Sequence, residues 1–246
     1  MNECRRVRSE RLQAVADLVR PGETVADIGT DHAQIPIELL QTGRSPRVIL
    51  TDSKAGPLQK AKQNIEAAGL RIPQSDIRRG SGLRVLDCGE VSVVIIAGMG
   101  GRTMKGILLD DPSKTSSFER FILQPQSHSE LVRRWVTENG YIITSEFLCR
   151  ERHRFCEIIE AERADAVGAS GEMAATACDW SSIDYEISPV LFAKGDRLLP
   201  AFLDAKIAES QAVLEGLSNE EGAAAASRRV ELTDRIKQLQ EKVALL

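Results

Sequence analysis

Short apolar runs alternate with segments of helical periodicity between residues 24 and 159, and this alternation restricts the fold more than any other feature of the sequence. The runs 24–28, 47–51, 91–97 and 121–123 read as strands, and helical patterns follow at 33–41, 57–68, 102–109 and 129–139. Parallel strands need crossovers of this kind, so the spacing predicts an α/β fold: an open, doubly wound, mostly parallel sheet with helices on both faces. Residues 91–97 are apolar throughout except Ser92, as suits a central strand covered on both sides. Residues 141–147 and 153–159 have only a short charged turn between them, so they are expected to pair as antiparallel neighbours at the sheet edge.

Before the sheet, Ser9 is placed to cap a helix in which Leu12, Val15, Ala16 and Val19 recur at helical spacing until Pro21 and Gly22 stop it. After Glu160 the composition shifts to Ala, Gly, Ser and acidic residues, and 161–183 reads as a connector. The expected division is therefore a ligand-binding domain over 1–160 and a connector with a C-terminal helical hairpin over 161–246. Leu232, Ile236, Leu239, Val243 and Leu246 form one seam of that hairpin. Leu203, Ile207, Leu214 and Leu217 form the other, with Ser210 as a polar interruption and a turn at 218–222. Two short seams leave open whether the hairpin closes on itself or pairs with a second chain, and hence monomer or homodimer.

Several function classes drop out. The longest apolar stretch, 91–99, is broken by Ser92 and Gly98 and falls short of the roughly 18 residues that cross a bilayer. The basic start (Arg5, Arg6, Arg8, Arg11) is followed by no apolar leader core, so a cytoplasmic location is expected. Five scattered cysteines without a Cys-x-x-Cys pair, and three distant histidines (His32, His128, His153), argue against disulfides and a metal site. A net charge of −4 argues against uniform coating of nucleic acid. It leaves room for local basic patches at Arg78, Arg79 and Arg84, at Arg133 and Arg134, and at Arg150, Arg152 and Arg154.

Ligands of open α/β sheets bind beyond the carboxyl ends of the strands, and three of those ends are chemically unusual. The first is Asp27-Ile28-Gly29-Thr30-Asp31-His32, where Gly29 permits a tight turn and Asp27 and Asp31 add negative charge. A dinucleotide turn would carry glycines where Asp31 and Gln34 stand, and its pyrophosphate would be repelled by these acids. S-adenosylmethionine has no phosphate and carries an ammonium and a sulfonium, so the same acids attract it. The second end is Asp52, 25 residues after Asp27, placed to accept hydrogen bonds from two ribose hydroxyls. The third is Ala97-Gly98-Met99-Gly100-Gly101, whose glycines suit backbone that must approach a ligand. Gly80-Ser81-Gly82 repeats the theme.

The ordered set DIGTDHAQIP, GPLQKAKQNI, RRGSGL, IIAGMGG and ILQPQ resembles the bacterial tRNA (adenine-N1)-methyltransferase family TrmK, over about residues 11–159. The resemblance implies a class I, Rossmann-like methyltransferase sheet of seven strands and a coiled-coil-like C-terminal extension. It also implies methylation of adenine 22 of tRNA and S-adenosylmethionine held by Asp27, Gly29, Asp31, Asp52, Gly80, Ser81, Gly82, Ala97, Gly98, Met99 and Gly100. Asp31 and His32 are the candidates for a chemical role near the adenine amine. Ser81 stands where the family often has Asp, and Phe155-Cys156 where it commonly has Tyr. The cofactor loops alone leave two other readings, a methyltransferase of small molecules and a non-catalytic scaffold that uses the hairpin for partner binding.

Overall fold

A computed structural model describes residues 9–30, 32–166, 180–218 and 220–246. The chain divides into two compact units, Met1–Ala177 and Cys178–Leu246.

In the first unit, the Ser9 hydroxyl accepts the Leu12 N–H and opens helix α1 (Glu10–Asp17), which buries Val15 and Ala16. The sheet then builds from β1 (Val25–Ile28), α2 (Gln34–Gln41), β2 (Val48–Asp52), α3 (Ala55–Ala67), β3 (Ile77–Arg79) and β4 (Val93–Met99). It continues through α4 (Gly101–Leu109), the single turn α5 (Pro112–Thr115), β5 (Arg120–Pro125), α6 (Ser129–Glu138), β6 (Tyr141–Glu151) and β7 (Arg154–Arg163). The seven strands lie in the order β3-β2-β1-β4-β5-β7-β6. β1 to β5 are parallel, and β7 runs antiparallel to both of its neighbours. The α/β expectation therefore holds, with one refinement: β7 inserts between β5 and β6, so β6 alone forms that edge. β7 also runs on to Arg163, three residues into the stretch read as connector; most of the remainder of that stretch lies outside the described residues.

All four residues of β1 are buried, as are Val93 to Ile96 of β4, because helices cover both faces of the central strands. At the amino ends of the strands the buried Arg120 joins Glu23, Glu160 and the Leu18 carbonyl, pinning the exit of α1 to β5 and β7.

The second unit contains α7 (Ser182–Glu186), α8 (Pro189–Ala193), α9 (Leu199–Gly216) and α10 (Ala223–Val243). α9 and α10 pack on each other as the hairpin read from the two seams. Leu203, Leu232 and Leu239 are buried, whereas Leu246 lies past the end of α10 and is exposed. Ser210 is no interruption. It is buried, donates to the Lys206 carbonyl and accepts a hydrogen bond from Arg235 at 2.5 Å, so it joins the two helices.

Candidate active site

Parallel register aligns the carboxyl ends of four neighbouring strands along one rim: Ile28 lies beside Thr51 and Ile96, and Asp52 beside Arg79. The first turn on this rim leaves β1 one residue after Asp27. Asp27 is 5% exposed, and burial raises its carboxyl to about 6, with the nearby Thr30 hydroxyl offsetting part of the rise. Among the described residues no cation pairs with it. Gly29 follows with φ +76°, and its N–H and that of Thr30 both donate to the Thr51 carbonyl at 2.9 Å. A Cβ on Gly29 would stand 2.1 Å from the Met99 methyl carbon. The left-handed turn therefore requires glycine, while the Met99 methyl, at the end of a flexible side chain, can shift to make room.

Asp31 lies outside the described residues. His32 and Ala33 adopt left-handed conformations (φ +62° and +53°), which cost L-residues roughly 1–2 kcal/mol each. Helix α3 holds them there: Asn64 donates to the His32 carbonyl at 2.9 Å, and Lys60 Nζ stands 3.1 Å from His32 Nε2. An ammonium can only donate, so that ring nitrogen accepts.

At the end of β2, Asp52 Oδ1 accepts the Lys54 N–H at 2.7 Å and its carbonyl accepts the Gly80 N–H at 3.0 Å. The β2 end is thereby tied to the Gly80-Ser81-Gly82 turn. Ser81 is exposed there, and Gly82 has φ +54°.

The β4 end departs from regular pairing with β5 between Ala97 and Met99. Gly98, with φ +77°, turns its N–H to the Gln124 side chain, 3.1 Å from Oε1. Gln124 is fully buried, and the same Oε1 receives Arg11 Nη1 at 2.7 Å. Glu151 in turn accepts from Arg11 Nε at 3.0 Å and from the Ser9 hydroxyl. Gly100 stays half-buried, and Gly101 begins α4 with its N–H on the Ser127 carbonyl at 2.7 Å.

The rim therefore collects Asp27, Gly29, His32, Asp52, Gly80 to Gly82 and Ala97 to Gly100. Sequence reasoning missed the Gln124, Arg11 and Glu151 relay behind Gly98. The available signal was Gln124 itself, a polar residue directly after the apolar run Phe121-Ile122-Leu123. Among the described residues no cluster of His, Cys, Asp and Glu is arranged to hold a metal ion, and no helix is long and apolar enough to cross a membrane. Two carboxylates among bare glycine backbone suit a phosphate-free cation bearing a ribose.

A methyltransferase-domain family model matches residues 8–159. The tRNA (adenine(22)-N(1))-methyltransferase of Bacillus subtilis is 36% identical over 157 residues, which is 64% of this chain and 66% of that protein. In three dimensions the crystal structure of the B. subtilis m1A22 tRNA methyltransferase TrmK superposes with a TM-score of 0.79 at 28% identity, covering 96% of this chain and 98% of that one. The chain belongs to the TrmK family of methyltransferases. A second TrmK-like structure, a putative tRNA (m1A22) methyltransferase of Streptococcus pneumoniae in complex with S-adenosyl-L-methionine, matches with a TM-score of 0.77 at 30% identity, covering 96% of this chain and 99% of that one. In this TrmK-family chain the buried Asp27 carboxyl and the glycine turns lie along the same rim of the sheet.

Proposed function

We propose that this chain transfers a methyl group from S-adenosylmethionine to N1 of adenine 22 in tRNA. The observation that carries the reading is the desolvated Asp27 carboxyl, without a cation among the described residues, set between glycine turns in a chain that follows the B. subtilis enzyme over 96% of its length. An ammonium arriving beside Asp27 compensates the charge that burial penalises. Asp52 takes the ribose hydroxyls, while the backbone at Gly29, Gly80 to Gly82 and Ala97 to Gly100 lets the ligand lie close to the sheet. With Ser81 at the adenine end, the amino group meets a hydroxyl in place of a carboxylate.

The cofactor supplies an electrophilic methyl on a sulfonium. Adenine N1 is a neutral nucleophile with a free lone pair, so in-line alignment provides most of the rate and no strong base is required. Positive charge grows on the adenine ring during transfer, and an acceptor near the exocyclic amine stabilises it. Asp31 is assigned that acceptor role. His32, tied to Lys60 and Asn64, holds the loop that carries it. N1 lies on the pairing edge of the base, so the adenine must be unpaired or flipped out before transfer. Both substrates meet in the cytoplasm, where we place the enzyme.

The test is incubation with methyl-labelled cofactor and unmodified bacterial tRNA, followed by mapping of the labelled nucleotide. Label at N1 of adenine 22 is expected. Label at another position, or on a small molecule alone, would overturn the assignment.

A further inference from the structure

A guanidinium is fixed against the same rim. Arg11 is 14% exposed and is held from two sides, by Glu151 Oε2 at 3.0 Å from Nε and by Gln124 Oε1 at 2.7 Å from Nη1. Its Nη1 lies 3.9 Å from the place a Cβ on Gly98 would take. A guanidinium has five N–H donors. Two are spent on Glu151 and Gln124, and no other acceptor among the described residues takes the rest. Glu151 does not cancel this charge alone, because Arg152 also acts on that carboxylate.

The methionine arm of the methyl donor carries an α-carboxylate beside its ammonium. Asp27 and Asp52 suit the ammonium and the ribose and repel the carboxylate, so a site built of acids and glycine needs a positive group at one end. We infer that Arg11 pairs with the α-carboxylate of the cofactor's methionine arm and so selects ligands that carry it. This rests on the S-adenosylmethionine reading of the rim. An RNA phosphate is the less suitable partner: Arg11 is largely buried and anchored at both ends, whereas Arg150, Arg152 and Arg154 nearby are open to solvent or nearly so.

The experiment is calorimetric titration of the full chain with S-adenosylhomocysteine and with its decarboxylated analogue, which keeps the adenosine, thioether and ammonium. Wild-type protein is expected to prefer the carboxylate-bearing ligand by about 10- to 100-fold. Arg11→Met removes the preference by weakening the first ligand and leaving the second unchanged, and Arg11→Lys restores part of it. Equal affinity of wild-type protein for the two ligands overturns the inference while the methyltransferase reading stands. Binding of neither ligand overturns both. Equal weakening of both ligands by Arg11→Met makes Arg11 a support for the Gln124–Gly98 contact and overturns the pairing. Unchanged preference with weaker tRNA binding assigns Arg11 to an RNA phosphate and overturns it too.

Discussion

Asp27 shows how one residue can serve binding against stability. Its folded carboxyl is raised to about 6 from 3.8, because burial penalises the charged form. A raised carboxyl binds its proton more tightly folded than unfolded, so ionisation destabilises the fold above pH 6, and the penalty disappears as pH falls toward 4. Asp27→Asn is accordingly expected to stabilise the ligand-free protein at pH 7.5 by about 1–3 kcal/mol, with little gain at pH 4. The same substitution removes the counter-charge for the donor's ammonium, so affinity for S-adenosylhomocysteine should fall by about 100-fold. Thermal melts at the two pH values and a calorimetric titration check both halves; a variant that binds normally or loses stability at pH 7.5 contradicts the argument. At this scale the sequence was legible where a chemical type stood out of context, as with Asp27, Gly29 and Gly98. It was illegible where function depends on a contact between distant segments: Arg11 and Gln124 stand 113 positions apart, and no local pattern joins them.

Elements in this fold are locked together at a few crowded joints. Gly101, at the start of α4, is one: an added Cβ would lie 2.1 Å from the His128 carbonyl oxygen, which is backbone and cannot swing aside. Gly101→Ala must therefore separate α4 from the β5–α6 turn, with an expected cost of about 1–3 kcal/mol in chemical denaturation. A second joint is the fully buried Arg133 of α6, which pairs with Glu146 of β6 and Glu157 of β7, while Ser129 also donates to Glu157 at 2.6 Å. Removing the cation takes the charge-balancing guanidinium away from two buried carboxylates, so Arg133→Met should cost about 3–5 kcal/mol near neutral pH. Chemical denaturation of the variant beside the wild-type protein tests this, and a loss below about 1 kcal/mol would refute it. The alternation of strands and helices was readable because each element carries its own apolar period. The insertion of β7 between β5 and β6 was not, since strand order depends on pairing partners that periodicity does not name. The short helices α5, α7 and α8, at four or five residues, are too brief to show a helical repeat.

Across the whole molecule the charge balance constrains how tRNA can be held. A protein of net charge −4 must gather its positive groups locally to meet a polyanion. Arg228, Arg229, Arg235 and Lys237 all lie on α10, yet they are not equivalent. Arg229 donates to the Leu217 and Glu220 carbonyls and closes the turn after α9, while Arg235 is held by Glu186 and Ser210. Arg228 and Lys237 are exposed, and among the described residues each has a single surface partner, Glu231 and Glu241. Surface pairs of this kind are worth little, so these two residues can exchange partners for phosphates at small cost. Reversing both, Arg228→Glu with Lys237→Glu, should weaken tRNA binding by about 10-fold or more and flatten its salt dependence, because fewer counterions are released. S-adenosylhomocysteine affinity should not change, since every rim residue and the core cluster beneath belong to the first unit. Arg235→Met should act differently, lowering the melting temperature by removing the link to Ser210. Filter binding of tRNA from 50 to 200 mM salt, beside cofactor calorimetry on the same samples, separates these outcomes. Unchanged tRNA affinity in the double reversal would show that this helix does not carry the RNA.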